Sequence, residues 1–333
     1  MLILRDAEVL SLRERPEASR AAHIAAIEAA FAEMARGTGR MAERLSLVTD
    51  ADPQAPRPRS FKLYAAVLQQ LGVIGSLTYP AGYGRPLDLR IQVCSGETGR
   101  LLALVEGESI THWSTGAVTA AATKRLARED ASVMGLVGTG TYAFEQAVFI
   151  TQVRPLREIR CFSRDAVRRQ AFVDRLSAML PGVSVRAVDE AAAAVRGVDI
   201  LTTVTTAQQP VFDGRLIEPG THVNAIGMHY PKVREIDTET VRRSRVFVDD
   251  LAVSLAEKGE LLIPLAEGAI GRAHLLGDLG TLITGGVAGR LSRDDLTLFA
   301  SSGLPVEMLA AATLLVRQAQ RDPRSDPRTA TTP

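Results

Sequence analysis

Between Ala131 and Ala143 the chain reads ASVMGLVGTGTYA. The apolar run 132–137 has the length of a strand. It leads directly into Gly138-Thr139-Gly140, and Ala143 completes a G-x-G-x-x-A pattern. A helical pattern follows over 144–153, and a second strand-like run, 158–162, comes at the right distance. Strand, glycine turn and helix in that order form the first half of a dinucleotide-binding βαβ unit. Gly138 allows the tight turn. Gly140 leaves the backbone open to a pyrophosphate, and Ala143 lets helix and strand pack closely. The helix N-terminus adds free N–H groups and a partial positive charge.

Outward from this stretch, strands and helices alternate. Helices are expected over 165–180, with Asp165 as its cap, and over 189–195; strands over 183–188, 199–204, 222–226 and 245–248. Such alternation predicts a parallel sheet covered on both faces. Toward the N-terminus the pattern differs. Residues 2–13 read as a strand and a short connector, and Pro16 opens a helix to about Arg36. Strand-like runs follow at 44–48, 61–65, 73–79, 87–94 and 101–106, the last two joined by a Gly96–Gly99 hairpin turn. An alanine-rich helix, 115–127, leads back to the glycine stretch, and a last helix covers 305–320. The fold class is therefore α/β: a Rossmann-type doubly wound parallel sheet plus an N-terminal α+β domain. The expected domains are 1–114 with 304–322 for substrate and dimerisation, and 115–303 for the dinucleotide; 323–333 reads as a disordered tail.

The 333 residues are 46% hydrophobic and 23% charged, with 39 basic and 38 acidic side chains. A net charge of +1 makes no case for a nucleic-acid or anionic-membrane partner. Cys94 and Cys161, each in a strand-like run, read as buried thiols of a reducing compartment. Met1–Leu4 is too short for a signal peptide and no apolar run reaches spanning length, so a cytoplasmic enzyme is expected. The five histidines show no paired ligand spacing, so no metal site is expected; Asp249-Asp250 reads as a cap or turn.

An acidic residue at the end of the second strand normally binds the adenosine ribose of NAD. Here that position is Ser163, followed by Arg164. A hydroxyl and a guanidinium suit a 2′-phosphate, which favours NADP over NAD. The expected cofactor contacts are Gly138, Thr139, Gly140, Thr141, Tyr142, Ala143, Ser163, Arg164, Thr203, Val204, Thr205, Gly227 and Met228.

Several separate segments, in order, resemble the ornithine cyclodeaminase/mu-crystallin family. Ser114–Val118 continuing to Ala122–Ala127 is similar to its RTGA…ATKYLA segment. The run 153–164, VRPLREIRCFSR, is similar to its VRPIKEVRVYSR. Residues 219–227 carry PGTHVNAIG, and Arg234-Glu235-Ile236-Asp237 matches REID. The resemblance implies a homodimer built through the N-terminal sheet, with a small-molecule substrate held between that sheet and the nucleotide domain. It implies reduction of a C=N bond or the reverse amine dehydrogenation. Ammonia-releasing cyclisation with recycled NAD, and non-enzymatic NADPH binding as in mu-crystallin, are the alternatives it leaves open.

The departures from the family are as informative as the matches. Its substrate-carboxylate arginine falls on Ser114, and its lysine on Leu77 or Ile74. Its proton-handling aspartate, after the AIG strand, falls on His229. An imidazole titrates near neutrality and can give or take a proton as a hydride moves; His229 can equally pack the Tyr230-Pro231 turn. Lys232 is a second catalytic candidate. Arg44 is the remaining anion ligand, and Lys62 a possible stand-in for the lost lysine. Tyr79 and His112 are expected to line the cleft, and His112-Trp113 to add apolar surface beside Ser114, which suits a larger or less polar substrate.

Overall fold

The computed structural model describes residues 1–13, 15–49, 58–84, 87–227 and 229–321. Met228 and the expected tail 323–333 lie outside them. The chain divides into two compact units, Met1–Ser114 with Leu304–Pro333, and Thr115–Gly303.

The first unit begins with β1 (Leu2–Leu4) and α1 (Asp6–Arg13). The expected connector is thus a helix. Val9 and Leu12, three residues apart, bury one side of it, and acidic residues occupy its first turn. Pro16–Ala18 makes a single 3₁₀ turn, and Ser19 caps α2 (Arg20–Ala35) by accepting the Ala22 N–H. Next come β2 (Gly39–Met41), β3 (Leu45–Val48), β4 (Ser60–Leu68), β5 (Val73–Ala81), β6 (Arg90–Ser95) and β7 (Leu101–Glu106). They form a seven-stranded sheet in the order β1-β7-β6-β5-β4-β2, with β3 also on β4. Only β1–β7 is parallel among these pairs. Along β4 alternate residues are buried, Ser60, Lys62, Tyr64, Ala66 and Leu68, as one covered sheet face requires.

Helix α3 (Glu108–Leu126) starts seven residues before the expected Thr115. Its first residues, Glu108–Ser114, fall in the first unit, so His112 and Ser114 are helical. The second unit continues with β8 (Val133–Val137), α4 (Thr141–Ile150), β9 (Glu158–Phe162), α5 (Ala166–Met179), β10 (Ser184–Ala187), α6 (Ala191–Val195), β11 (Ile200–Thr203), β12 (His222–Ala225), α7 (Thr238–Arg243), β13 (Arg245–Val248), α8 (Leu251–Glu257), α9 (Gly259–Ala266), β14 (Leu275–Asp278), α10 (Leu279–Ile283) and β15 (Thr297–Ala300). Helix α11 (Pro305–Arg321) belongs to the first unit, where its contacts include α2, β4, β5 and β6.

The eight strands of the second unit run in the order β10-β9-β8-β11-β12-β15-β13-β14, and every pairing is parallel. The chain leaves β8 on one side, through β9 and β10, and returns to β11 on the other. That reversal opens a crevice at the carboxyl ends of β8 and β11. Alternate side chains feed two cores. Met134, Leu136, Ile159 and Ile200 enter one, and Val137, Leu201, Val223 and Leu298 the other. Cys161 is fully buried, and burial pushes its thiol up to about 12; Cys94, expected to be buried, is only half so. No helix among the described residues is long and apolar enough to cross a membrane.

Candidate active site

The carboxyl end of β8 turns sharply at Gly138, whose φ is +111°. A Cβ there would lie 2.4 Å from the Val204 carbonyl oxygen, so both conformation and space require glycine. A Cβ on Gly140 would meet nothing within 4 Å. Gly140 is also the N-cap of α4, and it supplies no side-chain cap. A helix N-terminus that opens onto free space at Gly140, beside a parallel-sheet reversal, is the cradle a pyrophosphate requires. Helix α4 begins at Thr141, three residues earlier than the sequence pattern suggested, so Thr141 and Tyr142 belong to its first turn.

Ser163 follows β9, and its hydroxyl accepts from Thr139 Oγ1 at 2.8 Å, tying the glycine turn to the second strand end. Arg164 is exposed. Asp165 caps α5 by accepting the Arg168 N–H, and Arg169 donates to the Ser163 carbonyl and to Asp189. No carboxylate occupies the Ser163 position itself.

The ends of β11 and β12 bring Thr203, Val204, Thr205 and Gly227 to the same edge of the sheet. Glu235 joins them. Its carboxylate accepts from the N–H groups of Thr205 (2.5 Å) and Gly227 (2.6 Å) and from Thr203 Oγ1 (3.3 Å). Burial and the neighbouring Glu260 push the Glu235 carboxyl up to about 7 against those donors. His229 follows this strand end half-buried, its ring stacked on Tyr230 with centroids 5.5 Å apart; Lys232 is exposed.

The substrate candidates all lie in the first unit, and four side chains there form a cluster. Arg44 places its guanidinium 4.5 Å from the ring centre of Tyr64, and the Tyr64 and Tyr79 hydroxyls are 2.9 Å apart. Lys62 is buried and pairs with Tyr79 across β4 and β5, while Leu77 pairs with Tyr64. Tyr64 was missed by sequence reasoning; its period-two spacing from Lys62 was the available signal. Ile74, the other lysine-equivalent position, pairs with Cys94, on the opposite face from Leu77. Ser114 is fully buried and donates to the Thr111 carbonyl of its own helix.

Trp113 corrects an expectation. It was expected to add surface to a cleft, but it is buried within the first unit. It packs edge-on to His23 at 4.8 Å, with the guanidiniums of Arg13 and Arg20 at 4.5 and 4.6 Å from its ring centre. An indole beside three cationic or polar neighbours satisfies them by cation–π and edge contacts, an arrangement that spacing alone does not reveal.

Asp250 caps α8, and Asp249 accepts from Ser301, Ser302 and Gly303. Among the described residues no group of three or more histidine, cysteine or carboxylate side chains could hold a metal ion.

A glycine turn, an uncapped helix and a strand-order reversal define a dinucleotide-binding protein with an additional α+β unit. The profile of the ornithine cyclodeaminase/mu-crystallin family matches residues 13–322, and the chain belongs to that family. It is 35% identical to a Δ1-pyrroline-2-carboxylate reductase of Colwellia psychrerythraea, over 69% of this chain and 72% of that protein. The structure of Thermococcus litoralis Δ1-pyrroline-2-carboxylate reductase, in complex with NADH and L-proline, is 30% identical with a TM-score of 0.89, covering 96% of this chain and 98% of that one. An archaeal alanine dehydrogenase dimer with bound NAD is 29% identical with a TM-score of 0.87, covering 96% of each chain.

Proposed function

We propose that this protein is an NAD(P)-dependent oxidoreductase that reduces a C=N bond, or oxidises the corresponding amine, on a specialised small molecule. The observation that carries the reading is the Gly138–Gly140 turn and uncapped α4 at the strand-order reversal. Reductases of a cyclic imino acid and an alanine dehydrogenase among the relatives support it. When bound, the nicotinamide supplies or accepts the hydride at the substrate carbon. His229, after the β12 end, supplies the proton that the nitrogen gains in reduction and takes it back in the reverse sense. Lys232 is the alternative proton carrier. Arg44, Lys62 and Tyr79 hold the substrate's anionic and polar groups, with Leu77, His112 and Ser114 shaping its surroundings.

NADPH is the preferred form in this proposal, on the strength of Ser163 and Arg164. Structures of relatives contain NADH or NAD, so the discriminating measurement is a fluorescence titration with NADPH and NADH side by side. Turnover is then assayed with Δ1-pyrroline-2-carboxylate and a panel of other imines. A reductase consumes NADPH one for one with product. Ammonia release at constant total cofactor identifies a cyclodeaminase instead, and binding without turnover a binding protein. His229→Ala is expected to lower kcat by about 10²–10⁴-fold with NADPH affinity nearly unchanged.

A further inference from the structure

Four ionisable side chains form a buried network beneath the carboxyl ends of the second unit's sheet. Glu235, Lys258 and Glu260 are fully buried and Asp249 nearly so. The Glu235 N–H donates to Glu260 Oε1 at 3.1 Å. Lys258 Nζ lies 3.7 Å from Glu260 Oε2 and donates to the Ser301 carbonyl at 2.8 Å. Asp249 gathers the Ser301 hydroxyl and the N–H groups of Ser302 and Gly303, just after β15.

Glu235 is the member that faces the crevice edge. Parallel strands diverge from their ladder as they end, which leaves N–H groups to be satisfied by something else. Thr205 and Gly227 are two such groups, on neighbouring strands, and one carboxylate accepts from both. A Cβ on Gly227 would lie 2.1 Å from Glu235 Oε2, so the strand end rests directly on the carboxylate. Once ionised, above about pH 7, the Glu235 carboxylate offers two acceptor oxygens, one to each strand-end N–H, whereas a carboxamide offers one and turns an NH₂ toward a donor. Charge-assisted bonds of this kind hold geometry more tightly than neutral ones.

We propose that Glu235 is a positioning residue: it clips the ends of β11 and β12 together and so sets the backbone surface against which the nicotinamide ring lies. Glu260, itself paired with Lys258, accepts the Glu235 N–H and so fixes the backbone from which that carboxylate projects. This inference rests on the nucleotide reading above. Glu235 touches the strand ends, not the reacting atoms.

The test separates ring binding from binding of the rest of the cofactor. Full-length wild type and Glu235→Gln are titrated with NADPH and with 2′-phospho-ADP-ribose, which lacks the ring; NADH and ADP-ribose are run alongside. The variant is expected to lose about tenfold or more of the affinity advantage of dinucleotide over fragment, with fragment affinity nearly unchanged. A merely structural carboxylate weakens both ligands equally, and an unchanged ratio overturns the proposal. A second measurement needs only wild type. In hydrogen exchange, NADPH but not the fragment is expected to protect the segments containing Thr205 and Gly227; equal protection by both overturns the proposal. If wild type binds neither dinucleotide, the nucleotide reading itself fails, a result distinct from an unchanged ratio.

Discussion

Arg164 and Ser163 stand where a carboxylate would select NAD, and their chemistry makes a prediction at the scale of one side chain. Arg164→Asp places a negative charge where a 2′-phosphate would sit. NADPH affinity is expected to fall by about tenfold or more, with NADH affinity unchanged or improved, since a like charge replaces a charge-assisted pair. Paired titrations check it, and an equal response to both cofactors removes Arg164 from phosphate recognition. Glu235 teaches a related lesson. The REID match marked it without a role, and the structure divides the motif's work: Arg234 donates to Thr238, Glu235 receives the strand-end amides, and Asp237 caps α7. Which of these a carboxylate does cannot be read from its neighbours in sequence. It depends on where β11 ends, some thirty residues earlier.

Two buried polar side chains serve whole elements. Arg154 donates to the carbonyls of Lys124, Ala127, Arg128 and Val153, closing the end of α3. Arg154→Ala strands buried carbonyls, and each unsatisfied group costs about 1–3 kcal/mol. A loss of about 3 kcal/mol is expected, or about 6–12 °C in Tm for a unit of this size, measurable by calorimetry. His222, wholly buried in β12, bridges Thr297 of β15 and Asn224. Burial, with Arg290 nearby, holds its imidazole down at about 3. A group kept neutral in the fold but protonated in the unfolded chain weakens stability in acid. The contribution of His222 is intact above pH 6.5 and drains away as pH falls toward 3. His222→Gln is therefore expected to flatten the fall of Tm between pH 6.5 and 4, read by thermal scans at stepped pH; an unchanged slope excludes His222 as its source.

For the whole molecule, the outer face of the first unit's sheet carries a cross-strand patch. Leu45 and Leu47 of β3 are 52% and 55% exposed, and Phe61 and Leu63 of β4, their partners in register, 40% and 39%. Clustered apolar side chains on a sheet face call for a partner surface. A self-complementary dimer through this face is the proposed partner, and the alanine dehydrogenase relative is a dimer. Leu47→Glu together with Leu63→Glu is expected to convert the dimer to monomer in analytical ultracentrifugation. A dimer that survives both changes uses another face.

The parallel sheet, its glycine turn and the family were all legible in the chain itself. Each rests on short-range physics: period-two and period-3.6 burial, and a backbone conformation at Gly138 that glycine alone adopts readily. Boundaries set by packing were not legible. The early start of α3 at Glu108 and the helix at Asp6–Arg13 were missed, as were the late strands β14 and β15, whose four-residue runs resemble loops until a sheet stands beside them. Side-chain partnerships across long separations belong to the same class: Trp113 with Arg13 and His23, Tyr64 with Arg44 and Tyr79, and Glu235 with Thr205 and Gly227. Local composition sets what a segment can be. Only the folded chain sets which distant polar groups must satisfy one another once water has been excluded.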